Sequence, residues 1–197
     1  KLLQYIALAA LGAYCGVSSI LAVSPALASS GEEQVPVGAR PLGLGGSYTA
    51  LGEGVDALYW NPAGLGDLRF STARVSTVDL HGLGIRDNLL SLVSPLGQRW
   101  GVGVEWYHSG FDDGVIKDAL NRISLGLGWK PITQLQLGLN GKFLQYSQTY
   151  EGDDQGSGTG FGMDLGLLYH PVRALKLGVA WRDAGGTTLN YDDGSAS

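Results

Sequence analysis

Trp100-Gly101-Val102-Gly103-Val104-Glu105-Trp106-Tyr107 is the stretch on which the reading of this chain turns. Trp100, Val102, Val104 and Trp106 occupy one set of alternate positions, and Gly101, Gly103, Glu105 and Tyr107 the other. Successive side chains of a β-strand point to opposite faces, so this is a strand with one apolar face and one polar, glycine-rich face. The same period runs on through the chain. Ile123, Leu125, Leu127 and Trp129 alternate with Arg122, Ser124, Gly126, Gly128 and Lys130, and Leu135, Leu137, Leu139 and Phe143 with Gln136, Gly138, Asn140 and Lys142. Phe161, Met163, Leu165, Leu167 and Tyr169 then alternate with Gly160, Gly162, Asp164, Gly166 and His170, and Leu175, Leu177, Val179 and Trp181 with Lys176, Gly178, Ala180 and Arg182. Two weaker strands, at about 68–80 and 88–94, precede these and bring the expected number to seven.

The connections alternate in length. Short ones at 95–99, 130–133 and 171–174 each hold a proline, Pro95, Pro131 or Pro171, which stops a strand pair. Longer ones are expected at 110–118, at 148–158 and after Arg182. They carry Asp112, Asp113, Asp118, Glu151, Asp153, Asp154, Asp183, Asp192 and Asp193, with Lys117 as the one basic residue. Half of the chain's 18 acidic residues therefore gather at one end of the strands.

An apolar face opposite a polar one also describes a soluble β-sandwich. Three features separate the two. The strands span roughly 9 to 13 residues, against ~5–6 in soluble proteins and ~9–11 for a tilted membrane strand. Aromatic residues sit near both ends of the apolar faces: Trp100, Trp129 and Tyr169 by the short turns, and Trp106, Phe143, Phe161 and Trp181 by the long loops. That is the distribution of two interfacial girdles. Finally, the polar faces hold Glu105, Arg122, Asn140, Lys142, Asp164, Lys176 and Arg182, which are costly in a sandwich core and at home in a wet or plugged lumen. These residues are the expected lumen-facing set. The expected fold is all-β, an antiparallel transmembrane barrel wall with short periplasmic turns and extracellular acidic loops.

Composition agrees with a wall of this kind. The chain has 197 residues, 32 of them Gly, and is 44% hydrophobic but only 16% charged, where soluble domains run near ~25% charged and ~7% Gly. A net charge of −5 gives no reason to expect nucleic acid. Residues 1–28 read as a secretory signal: Lys1 leads an uncharged apolar run that closes on Ala26-Leu27-Ala28-Ser29, a small-residue cleavage site. That ending argues against an uncleaved anchor helix. Cys15 follows Tyr14 rather than a small residue, so it is no lipoprotein site and leaves with the signal. No disulfide is then expected in the mature chain.

Residues 29–67 are Gly-rich and do not alternate. Gly43-Leu44-Gly45-Gly46 is no dinucleotide fingerprint, because the third glycine of that motif falls on Tyr48 and no strand precedes it. Asn61-Pro62 has the chemistry of a helix start, with Asn as cap and Pro at the first helical position. One helical turn is expected at 61–66. The stretch from Gly38-Ala39-Arg40-Pro41-Leu42-Gly43-Leu44-Gly45-Gly46 through Tyr48-Thr49-Ala50, followed by Ala57-Leu58-Tyr59-Trp60-Asn61-Pro62-Ala63-Gly64-Leu65, resembles the N-terminal region of the PorV/PorQ family. That family is related to FadL-type outer-membrane transporters, and the Asn-Pro-Ala triplet carries the resemblance. It implies a fourteen-stranded barrel closed by an N-terminal hatch, with Asn61, Pro62, Ala63 and Gly64 as hatch residues. Residues 68–197 would then supply the first seven strands, about half of the barrel. A chain that begins without Met and stops at Ser197 in an acidic stretch agrees with an N-terminal piece.

The resemblance implies two roles of different kinds. FadL-type relatives pass hydrophobic molecules through the lumen; PorV-type relatives bind exported proteins at the cell surface. The expected function is a channel or transporter for hydrophobic or small molecules, with a secretion-system component as the alternative. Tyr107, Leu144, Tyr146 and Leu168 are the apolar candidates on the inward faces. Expected partners are outer-membrane lipid and either hydrophobic small molecules or secreted proteins. An enzyme is not expected, because His81, His108 and His170 are accompanied by no nucleophile motif such as G-x-S-x-G. Neither a cofactor nor a metal is expected: the pairs Asp112/Asp113 and Asp192/Asp193 lack the D-x-D-x-D-G spacing of a calcium loop.

Overall fold

A computed structural model describes residues 38–79, 82, 84–112, 114–151, 153–184 and 188–192, without the side chains of 154, 155 and 188–192. The expected signal segment and His81 lie outside the described residues. Strands β1 (Thr72–Val78), β2 (Arg86–Leu96), β3 (Trp100–Asp112), β4 (Ile116–Ile132), β5 (Leu135–Tyr150), β6 (Asp153–Val172) and β7 (Leu175–Trp181) form one antiparallel sheet in sequence order. A further strand, β8 (Thr188–Asp192), pairs with β6. It continues the path of β7 along the same edge: Trp181 faces Leu165 and Thr188 faces Phe161, so an insertion after Trp181 interrupts a single lane.

Two expected long connections are hairpins instead. β3 and β4 stay paired out to Asp112 and Lys117, and β5 and β6 out to Tyr150 and Asp153. Residues 110–118 and 148–158 lose the apolar face that marks a strand in sequence. The backbone ladder needs no apolar face to continue, so pairing runs past the point where alternation stops. At the opposite end, the pairing shifts by one residue between Trp129 and Ile132 and between Tyr169 and Val172. Pro131 and Pro171 sit in these bulges, where a residue without a backbone N–H breaks no ladder bond.

The sheet is inside out by the standard of a soluble protein. Its apolar face is bare: Leu125, Phe161, Val179 and Trp181 are each more than 60% exposed. Its polar face is covered by residues 38–67, which form short helices at Ala39–Gly43 and Ala57–Trp60 and 3-10 turns at Gly54–Asp56 and Pro62–Asp67. The core lies between the two. Leu58 and Leu65 pack with Val93 of β2, while Tyr48, Tyr59 and Trp60 pack with Leu89 and Tyr107.

The glycines of the polar face make this seat flat. A Cβ on Gly101 would collide with the Leu65 carbonyl, one on Gly128 with the Gly66 amide, and one on Gly138 with the Ala63 amide. Within the covering segment, Gly64 lies so close to the Gly52 carbonyl that no side chain fits there either. Backbone thus rests on backbone.

Candidate functional site

Asn61 is the pin of the covering segment. It is fully buried with extended backbone, φ −164°. Its Oδ1 accepts from the Ala63 amide at 3.1 Å, the N-cap bond that starts Pro62–Asp67. Its Nδ2 donates to the Thr49 carbonyl at 2.9 Å and is shared between Leu167 of β6 at 3.2 Å and Val179 of β7 at 3.3 Å. One amide therefore closes the segment on itself and ties it to two strands. Gly166 makes room for it, since a Cβ there would strike Asn61 Oδ1. Pro62, Ala63 and Gly64 are all buried in the turn that Asn61 starts.

Beside this pin lies a compensated cluster of charge. Glu105 and Arg122 pair at 3.5 Å, both almost fully buried, and Ser91 donates to Glu105 at 2.9 Å. Lys142 Nζ reaches Asp164 at 2.9 Å and Asp183 at 2.7 Å, while Asn140 donates to the second oxygen of Asp164 at 3.0 Å. Arg122 lies over the Tyr59 and Tyr107 rings, and Arg182 over Tyr59 and Trp60. Three acids, Glu105, Asp164 and Asp183, thus meet three bases, Arg122, Lys142 and Arg182. A buried charge demands such pairing. The gap left among them is about 10 Å³, lined by Leu58, Tyr59, Glu105, Arg122, Ser124, Asn140, Lys142, Asp164 and Arg182. It is too small for any solute beyond a water molecule.

Of the expected lumen-facing residues, Glu105, Arg122, Asn140, Lys142, Asp164 and Arg182 come together here. Lys176 does not. It lies at the rim, where its ammonium binds Glu53 at 2.6 Å; Arg40 takes the other Glu53 oxygen at 3.2 Å. The hydrogen bond from Lys176, with its charge and that of Arg40, holds the Glu53 carboxyl below its ordinary range against the opposing effect of partial burial. On the inward faces, Tyr107, Leu144 and Leu168 are buried, and Tyr146 is half-buried with its hydroxyl on Asp118 at 3.2 Å.

Asp183 corrects the expectation of an acidic outer loop. The insertion after Trp181 carries it inward in a left-handed conformation, φ 50°, with its amide on Asp164 at 3.0 Å. Without it, the two acids Glu105 and Asp164 would face three bases, Arg122, Lys142 and Arg182. Two further ties were missed. Asp56 of the covering segment pairs with Arg74 of β1, and Tyr107 donates to the buried Asp87 at 2.9 Å. His108 stacks on Trp106 and shares a hydrogen bond with Asn121 at 3.0 Å, and His170 lies at the bulge by Pro171. No group of three His, Cys, Asp or Glu among the described residues could hold a metal.

Searches against family models, curated proteins and solved structures find no match for this chain.

Proposed function

We propose that this chain is part of an outer-membrane β-barrel whose covering segment is a hatch, and that it conducts small or hydrophobic molecules across that membrane. The observation that carries the reading is the inverted sheet. A face of Leu, Val, Phe and Trp that no described residue covers is stable against lipid and poorly stable in water. The buried charges belong to the lumen side of such a wall. Aromatic pairs support the two interfaces: Trp100 stacks on Trp129 at 5.3 Å by the short turns, and Phe143 meets Phe161 at 5.0 Å towards the other end. Among the described residues no helix is long and apolar enough to cross a membrane.

With the seat filled, passage requires the hatch to move. The lining it would uncover is ion-paired, which favours small polar solutes over long hydrophobic ones. Deletion of the gene in its own cells should abolish uptake of one such class of compound while leaving protein export intact.

The hairpins favour a second reading, a surface partner in protein export. β5 has 16 residues and β6 has 20, against the ~9–11 needed to cross. Roughly half of that hairpin would stand clear of the lipid as a stiff, acidic-tipped arm. Recovery of secreted proteins with the full-length protein, together with normal uptake in the deletion strain, would replace transport with this role.

A further inference from the structure

Charge is sorted along the strands by more than the acidic loops. At the short-turn end stand Arg69, Arg99, Lys130, Arg173 and Lys176. The two lysines are neutralised there, Lys130 by Asp67 at 2.6 Å and Lys176 by Glu53 at 2.6 Å. The three arginines are exposed and make no ion pair among the described residues. At the hairpin end, among the described residues, Asp112, Asp118, Glu151 and Asp153 outnumber Arg86 and Lys117, and Lys117 is bound to Asp112 at 3.0 Å. That end repels an anion.

The turns at the basic end are joined into one surface. The Arg99 carbonyl accepts from Lys130 N at 2.8 Å, and the Gln134 carbonyl from His170 N at 2.7 Å. Between the first two turns lies an open depression of about 410 Å³, lined by Gln98, Arg99, Lys130, Thr133 and Gln134 with Pro131 and Ile132. Immediately beside it, on the bare apolar face, is the stacked pair Trp100 and Trp129. A hydrogen-bonding basic hollow next to an aromatic pair has the two-part chemistry of a lipid: phosphate below, acyl chain and glycerol against the rings. Arginine suits phosphate, because its planar fork gives two parallel bonds.

We infer that the short-turn end binds the headgroups of anionic phospholipids, with Arg99, Arg69 and Arg173 as the phosphate-binding residues and Trp100/Trp129 as the platform beside them. This rests on the membrane reading above. It would fix the depth of the wall in the bilayer and favour one orientation, since only one end attracts an anionic leaflet.

The test uses the full chain, with Trp106→Phe and Trp181→Phe so that the exposed Trp signal comes from Trp100 and Trp129, folded into bilayers that mix phosphatidylcholine and phosphatidylglycerol. Quenching is compared when the bromine is on one lipid or the other. Stronger quenching by brominated phosphatidylglycerol than its mole fraction predicts is expected. It should fall by up to about fivefold per arginine in Arg99→Gln and Arg173→Gln, the scale of one basic residue at an anionic surface, and stay unchanged in Arg86→Gln. Inorganic phosphate at millimolar concentration should not compete; if it erases the preference, the site takes a free anion and the lipid assignment is wrong. Quenching in proportion to mole fraction overturns this inference and leaves the membrane reading standing. No quenching by either lipid overturns both, and capture of an acidic peptide in preference to lipid would assign the surface to a protein partner.

Discussion

Replacing Asn61 by alanine should release the hatch without unfolding the sheet. The substitution removes the N-cap acceptor of the Ala63 amide, worth ~0.5–2 kcal/mol, and leaves the half-buried Thr49 carbonyl without its donor, at about 1 kcal/mol or more. Leu167 and Val179 lose a shared third partner but keep their places in the β6–β7 ladder. The total, about 1.5 to 3 kcal/mol, weakens docking of the hatch by roughly 12- to 140-fold at ~1.4 kcal/mol per decade. Hydrogen exchange of the amides of residues 57–66 reads this directly, because opening of the hatch exposes them while β3–β6 stay protected. Asn61→Asp separates the two functions of the side chain. Aspartate keeps the cap acceptor yet has no Nδ2 donors, and it brings a negative charge towards two carbonyl oxygens. It should therefore open the hatch at least as much as alanine does. Wild-type protection in Asn61→Asp would refute the pin and reduce Asn61 to a helix cap.

Three further outcomes follow from the geometry. Gly138→Val should displace the Pro62–Ala63 backbone and raise exchange in the hatch, whereas Gly141→Val, where a Cβ meets nothing within 4 Å, should leave it unchanged. Lys142→Met leaves the Asp164 and Asp183 carboxylates facing one another; it should destabilise the folded protein in detergent by ~3–5 kcal/mol, read from the denaturant midpoint, with part recovered on adding Asp183→Asn. Acidification should loosen the rim clasp late. Because Lys176 and Arg40 lower the Glu53 pKa, the stabilisation is complete above the ordinary carboxylate range and is lost only as pH falls through the lowered value. Protection factors at residues 49–54, which remove the intrinsic pH dependence of exchange, should be flat from neutral pH down to that range and then fall, and Lys176→Gln should bring the fall to higher pH.

How far the structure can be read from the sequence follows the physics of each part. β3 to β7 are legible because Trp100-Gly101-Val102 and its successors keep a strict period of two, and a one-residue slip would turn every side chain to the wrong face. The ends of β3 to β6 were not, since Lys117, Gln148 and Asp153 pair through backbone atoms that leave no pattern in side-chain type. The Asn61-Pro62 turn was legible from local capping chemistry alone. Its bonds to Leu167 and Val179 join residues more than 100 positions apart and end on backbone carbonyls, which carry no mark in the sequence. Glu105, Arg122, Lys142 and Asp164 were identifiable because each interrupts a glycine-rich face with a charge that must be paired. Asp183 was misplaced because the insertion after Trp181 looks like any acidic loop until β8 is seen to resume the lane beyond it.

On the proposed membrane reading, the bare apolar face meets lipid while the glycine-rich face holds the covering segment. Single spin labels on Leu125→Cys and Ser124→Cys, adjacent residues on opposite faces of β4, test it most directly in a Cys15→Ser background with the chain folded into bilayers. The label at 125 should collide freely with oxygen, which concentrates in lipid, and be shielded from a water-soluble nickel complex; the label at 124 should be shielded from both. A label at 125 that meets the nickel complex as readily as a surface loop does, on a chain that is folded and monomeric without detergent or lipid, would contradict that placement.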